Sequence, residues 1–575
     1  MNIFLIAVII TMVVYLVIGW YVGRKVKSLD DYYVAGRNAP TFFIVGTLVA
    51  SFMSTNAFLG ELGMSYSGHA PLIIIMTGGN CLGYLFGALF FGRYLRRSQS
   101  LTVPEFFGRR YQSRRLQTLA GLTIIIGLTC YLLAVTWGIA LVISEVAQLP
   151  YSACICLVWL GYTSFTLYSG SKGVIITDTF MFVLFTIVAL MAFYFIIESG
   201  GGWHEGLHKL AQYEAKPGII SWHGLVGNDS NWKTPAEALI WALILGCAWG
   251  VVVAVSPWQT SRYLMARDEH VVIRSGCGAC VAMFLLYLIN NYSAAAVNLV
   301  NPEITPPESV MIWVSMNLLP PILGSLLICG ILSAGLSSAS TFLSLIGFSA
   351  SNDVFIFELS SRKRLQVTRY TMIFFGLIVL TLCLLLPSNI FWITYFAGPV
   401  FASSWGVIAF MSVWSTSITE AAAFWGMING FCSNIATNIF SLITGVSLPV
   451  YMDPILVGSA ISLVTILMIS RLGTAKKESL AFREKLHEMP ITLADEKEIA
   501  RTLIWPKAMI MIGIATMMLL ISFYALPYRE AIGGLNSGSP MGGEMILAIS
   551  YGLVMITGGG FVFWQVKKFF QEQYK

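Results

Sequence analysis

Leu48-Val49-Ala50-Ser51-Phe52-Met53-Ser54-Thr55-Asn56-Ala57-Phe58-Leu59-Gly60 places small and hydroxyl side chains at the middle of an apolar segment, 41–62, long enough to cross a bilayer. In hydrocarbon an unpartnered backbone N–H or C=O costs several kcal/mol, so a weak helix centre persists only where protein or a water-filled cavity satisfies the freed groups. The stretch predicts a helix broken between Ser51 and Asn56. Tight helix packing through small residues is the competing explanation of the same composition.

The rest of the chain supplies the same solvent. Of 575 residues, 57% are hydrophobic and 11% charged, against about 25% charged in a soluble domain. That composition excludes a soluble globular protein, a disulfide scaffold and a disordered chain, and leaves an all-α polytopic membrane protein. About 15 transmembrane helices are expected, over 3–23, 41–62, 71–92, 117–146, 150–168, 174–197, 236–258, 272–298, 321–352, 367–387, 389–414, 418–446, 450–470, 504–526 and 543–566. The first lacks a basic lead and a small-residue cleavage site, so it reads as a retained anchor. The ten cysteines are scattered, and the Cys277/Cys280 pair has neither a second pair nor histidines beside it.

Lys and Arg mark the cytoplasmic ends of membrane helices. With the N-terminus outside and the C-terminus inside, only Lys209, Lys216, Lys233 and Arg529 of the 34 basic residues lie outside. Inner loops then collect Arg24, Lys25, Arg93, Arg96, Arg97, Arg109, Arg110, Arg262, Arg267, Arg274 and Arg362 to Arg364. The expected location is the plasma (inner) membrane. The charged segment 472–503 reads as an inner connector. No loop is large enough for an enzymatic domain.

Inside the spans, Gly246-Cys247-Ala248-Trp249-Gly250 gives the seventh a soft centre like that of the second. Paired soft centres five spans apart predict two inverted five-helix repeats with binding at the midplane. In the ninth span Ala334, Ser337, Ser338 and Thr341 follow i, i+3, i+4, i+7 spacing, so one face offers three hydroxyls, neutral oxygens suited to a hard cation. The same hydroxyls can also bond back to their own helix. Asp178 is an intramembrane carboxylate that needs a partner or an aqueous path. Glu61, Glu145 and Asp453 sit near span ends and read as interfacial. No basic residue is expected at the midplane of any span.

The chain resembles the sodium:solute symporters. The likeness runs from Asp31-Tyr32-Tyr33-Val34-Ala35-Gly36-Arg37 through Thr102-Val103-Pro104-Glu105-Phe106, Tyr168-Ser169-Gly170 and Thr177-Asp178. It continues with Pro257, Arg262 and Ala266, the serine face of the ninth span, and Gly426-Met427-Ile428-Asn429-Gly430. The resemblance implies a leucine-transporter-like 5+5 inverted-repeat core with extra N- and C-terminal helices. It divides the chain into an extra helix and inner loop over 1–40, a ten-helix core over 41–414 and additional helices over 415–575. It implies a sodium site built from Ala50, Met53 and Ala334 carbonyls with Ser337 and Ser338 hydroxyls, and a second sodium position at Asp178, Ser340 and Thr341. Sodium is the coupling ion, and no cofactor or nucleic-acid partner is expected.

Departures bear on the solute. Ala57 stands where sugar-transporting members place a glutamine and Met283 near their lysine. Phe52 stands where proline-transporting members place an aspartate. A pocket of Ser51, Phe52, Asn56, Thr77, Asn80 and Trp249 would be part apolar and part hydrogen-bonding, suited to a small organic acid, a vitamin-like carboxylate or an amino acid. A sugar-type or proline-type symporter, a passive channel and a membrane enzyme are the alternatives. The last would need an HExxH, a GxSxG or clustered histidines, none of which the sequence shows.

Overall fold

A computed structural model describes residues 3–26, 28–228, 230–355, 360–387, 390–446, 448–533 and 542–572. Among them the regular structure is helical, with one isolated β-bridge between Ala39 and Ala266. Each of the fifteen apolar segments is mostly helical where described; residue 389, first of the eleventh, lies outside the described residues. Among the described residues ten helices are long and apolar enough to cross a membrane, and three shorter apolar ones accompany them. The two counts differ partly because two predicted pairs merge into the helices Asn56–Arg97 and Tyr151–Ser199.

The spans are α1 (Ile3–Gly23), α2a (Thr41–Phe52), α2b (starting with Asn56–Glu61) and α3 (Ala70–Gly87, prolonged to Arg97). Next come α4 (Arg114–Ala147) and α5 and α6, the two halves of Tyr151–Ser199. The second half of the core is α7a (Pro235–Val255), α7b (Pro257–Met265), α8 (Glu269–Ala296), α9 (Pro321–Ser349), α10 (Ser361–Leu385) and α11 (ending with Val407–Trp414). Then follow α12 (Glu420–Thr444), α13 (Pro454–Ser470), α14 (Glu496–Leu520) and α15 (Gly543–Lys567). At the join of α5 and α6, Gly170 takes φ 55° and ψ −161°, and the Tyr32 ring packs where a Cβ would stand. A side chain there would meet both backbone strain and a clash.

The predicted break in the second span is present. Met53 leaves helical geometry at ψ 66°. The Ser54 N–H, which would bond the Ala50 carbonyl in a continuous helix, donates to Phe52 at 2.7 Å. The Ala57 N–H donates to Ser54 and not to Met53. The carbonyls of Ala50 and Met53 thereby lose their ordinary helical donors.

The seventh span corrects the sequence reading. Its soft centre is continuous helix, and the break lies further on, at Ser256 with φ −59° and ψ 145°. Pro257 has no N–H to offer the preceding turn and forces the residue before it into extended geometry. The glycines instead permit close packing: a Cβ on Gly79 would lie 2.5 Å from the Gly246 backbone, and one on Gly83 2.2 Å from the Gly250 carbonyl oxygen. α3 and α7a therefore touch backbone to backbone.

Both breaks fall in the first helix of a five-helix set, and main-chain bonds join the two broken helices at the end of the molecule rich in basic residues. Ala39 N–H donates to Met265 at 3.1 Å, and Arg267 N–H donates to Ala39 at 3.0 Å. Arg96 adds side-chain bonds to the Ala266 and Arg267 carbonyls. At the opposite end Leu225 N–H bonds the Gly68 carbonyl, and Lys216 donates to Tyr66 O at 2.9 Å and Asn298 Oδ1 at 2.6 Å. The segment 472–503 also does more than connect: Arg97 donates to Leu486 O, and Arg110 is buried against Ser479 and Ser412.

Candidate functional site at the helix breaks

Beside the first break, α9 presents its hydroxyl face. Ala334, Ser337, Ser338, Ser340 and Thr341 are all buried. Gly335 lets this helix approach the break, since a Cβ there would meet Thr55 Cγ2 at 2.6 Å. Ser338, three residues further along the same face, has a buried hydroxyl with no hydrogen-bond partner, and so does Thr55. Unmade hydrogen bonds at buried hydroxyls are costly unless a ligand completes them. Ser340 is committed locally, donating to the Ser337 carbonyl at 2.9 Å. Thr55 is absent from the set expected on sequence, although its place in the break was the available signal.

Asp178 has two neighbours the sequence reading did not assign to it, Thr47 and Arg262. Its Oδ1 accepts from Ser337 Oγ at 2.5 Å, its Oδ2 accepts from Thr47, and Arg262 lies 3.3 Å from Oδ2. Arg262 also donates to Thr341 Oγ1 at 2.6 Å. The loop position expected for Arg262 is therefore wrong: it is on α7b, 2% exposed, inside the helix bundle. An arginine can be buried when a carboxylate and hydroxyls receive its donors. The ion pair thus joins α6 to α7b, with α2a and α9 contributing hydroxyls.

The residues expected to meet solute divide into two groups. Phe52 and Trp249 come together edge to face, with ring centroids 6.2 Å apart. Tyr84 and Tyr287 add rings at 6.4 and 6.3 Å from Phe52, neighbours the sequence did not reveal because they arrive from helices distant in the chain. Gln259, past the second break, reaches the Leu48 carbonyl before the first. Ser51 and Thr77 donate to carbonyls of their own helices, at Leu48 and Ile73. Asn80, in the amide orientation that satisfies it, donates to Met76 and Gly246 and so fastens α3 to α7a.

Asn56 donates through Nδ2 to Glu61 Oε1 at 3.2 Å. The interfacial position expected for Glu61 is corrected as well, since the residue is buried at 7% exposure. It lies in α2b, whose Ser65 donates to Asn291 of α8 at 2.6 Å and holds that half-helix inward.

The sodium:solute symporter family matches residues 32–430. The chain belongs to that family. Among individual relatives, the sodium/pantothenate symporter of Haemophilus influenzae is 23% identical over 55% of this chain and 64% of its own length, under two thirds of that protein. The osmoregulated proline transporter OpuE of Bacillus subtilis is 22% identical over 79% of this chain and 92% of its own. In structure, the chain is similar to a sodium-coupled sialic acid symporter in a substrate-bound outward-open state. The TM-score is 0.68 and the identity 18%, over 83% of this chain and 99% of the other. It is also similar to Mhp1, a nucleobase-cation-symport-1 family transporter, with a TM-score of 0.51, 10% identity and coverage of 79% and 98%. These likenesses establish the leucine-transporter-like fold, in an integral membrane protein.

Two features of this symporter-family chain lie away from the breaks. A cavity between α3, α8, α14 and α15 is lined by Ile74, Leu288, Leu520 and Phe523 and by no charged side chain, which suits hydrocarbon better than a charged solute. His204, His208 and Glu530 converge with their ligating atoms within 4.8 Å of one another, so two of the six histidines do cluster, contrary to the sequence reading. That group is at the surface, on short helices, and has no part in the break.

Proposed function

We propose that this chain is a sodium-coupled symporter carrying a small organic solute that bears a carboxylate into the cell, with its N-terminus outside and its C-terminus inside. One observation carries the reading: the break frees the Ala50 and Met53 carbonyls beside a helix whose Ser338 hydroxyl is buried without a partner. Two freed carbonyls and hydroxyl oxygens are the ligand chemistry of a hard cation. Ala50, Met53, Ala334, Ser337 and Ser338 form the proposed sodium site, and Thr55 is its added neighbour. The solute lies at Phe52, Asn56 and Trp249, with its carboxylate toward the start of α2b, where the N–H groups of a half-helix favour negative charge.

Asp178, Ser340 and Thr341 would offer a second sodium position only after Arg262 withdraws, because Arg262 supplies the positive charge beside Asp178 in this state. We therefore read one sodium ion per transport cycle. Uptake into proteoliposomes with and without an inward sodium gradient tests the function. Solute accumulation that collapses without sodium is expected; equal entry in both conditions would indicate a passive pathway and overturn the reading.

A further inference from the structure

We propose that the transported solute also carries an ammonium group, held by Glu61 beside the ring of Tyr287, which itself packs near Phe52; the proposal rests on the symport reading above. Glu61 is a buried carboxylate with a half-used set of acceptors. Oε1 accepts from Asn56, whereas Oε2 has no partner. Among the described residues no basic side chain forms an ion pair with it, and the one buried in the adjoining core, Arg262, is paired with Asp178. A carboxylate in such surroundings is costly unless a proton or an organic cation neutralises it.

The surroundings fit an organic cation. Ser65 follows Glu61 by one turn and Asn291 follows Tyr287 by one turn, so the Ser65–Asn291 bond brings Glu61 into line with Tyr287. Tyr287 is 2% exposed, and its hydroxyl lies against the Glu61 carboxylate. Asn56 Oδ1 is buried without a donor. An ammonium placed here would meet Glu61 Oε2 and Asn56 Oδ1 as acceptors, with the Tyr287 ring beside it. Aromatic rings attract such cations through their quadrupoles, most strongly where water is excluded. Sodium is the poorer fit to this wall, since rings supply no oxygen ligands.

Together with the carboxylate end at α2b, the solute class becomes a zwitterion: an amino acid, an ω-amino acid or a betaine. A zwitterion has no net charge, so a single sodium ion makes each cycle carry one positive charge inward. No second cation is needed for the membrane potential to drive accumulation.

The test uses the full chain in proteoliposomes and three matched pairs: L-alanine with propionate, γ-aminobutyrate with butyrate, and glycine betaine with 3,3-dimethylbutyrate. An amine-bearing member is expected to enter in a sodium-dependent manner at least tenfold faster than its amine-free partner. Glu61→Gln should weaken that solute's apparent affinity at least tenfold, and Tyr287→Phe should weaken it less. Sodium-dependent thermal stabilisation without solute should persist in Glu61→Gln. Where it is lost, the pair preference of the native protein decides alone. Preference for the amine-free acids, absence of uptake for every amine, or unaltered affinity in a Glu61→Gln protein that still responds to sodium would overturn the proposal. Failure of the symport reading is distinct: the native protein would show no sodium response at all.

Discussion

Arg262 and Asp178, separated by 84 positions in the chain, meet as an ion pair with exposures of 2% and 0%. The pair joins the helix past the second break to the sixth span, and Thr341 and Ser337 complete its hydrogen bonding. A buried pair adds little relative to apolar residues of the same shape, but either charge alone is strongly destabilising.

Arg262→Ala is therefore expected to destabilise the protein by about 3–5 kcal/mol. Combining it with Asp178→Asn should recover part of that loss, since no uncompensated charge remains. Thermal denaturation of the purified variants in detergent measures both. A double variant as unstable as the sum of the single ones would show that the two residues act separately.

Ser338→Ala removes a buried hydroxyl that has no hydrogen-bond partner in the protein. Melting without sodium should stay near the native value, while half-saturating sodium rises about tenfold, equivalent to about 1.4 kcal/mol. Ser340→Ala, which removes only a bond to the Ser337 carbonyl, should shift sodium dependence less.

Gly83→Ala places a methyl group 2.2 Å from the Gly250 carbonyl oxygen, a backbone atom that cannot rotate away. α3 and α7a must separate, at a cost of about 1–3 kcal/mol. Solute uptake should fall along with stability, because Asn80 then loses its reach to Gly246.

Burial pushes the Lys216 ammonium down to about 8. The unfolded chain therefore binds more protons than the folded one between pH 8 and the ordinary lysine range near 10.4. Stability contributed at this position rises with pH across that window and is flat below it. Native protein should gain melting temperature relative to Lys216→Met on titration from pH 8 to 10.5, values that bracket the window. A constant difference between the two would place the titration elsewhere.

Hydropathy made the helices legible because each apolar segment satisfies its backbone internally, and the break at Met53 was legible because small and hydroxyl residues have few other uses at that depth. The break at Ser256 was not, since glycines that serve close packing look the same in sequence as glycines that end a helix. Pro257 was the better signal. Arg262 was misplaced because a basic residue near a span end is ordinarily cytoplasmic. Its burial depends on Asp178, Thr341 and Ser337, which the sequence does not place beside it. Glu61 was read as interfacial for the same reason, and the Tyr84 and Tyr287 neighbours of Phe52 required the packing of α3 and α8 on the break.

The bonds from Ala39 to Met265 and from Arg267 to Ala39 tie the start of α2a to the end of α7b through main chain alone. No side-chain substitution removes those donors and acceptors, short of proline at Ala39 or Arg267. The two half-helices at this end thus behave as a single yoke. Tilting one hauls the other, and a cation seated at the first break would transmit its pull to the second without a separate linkage.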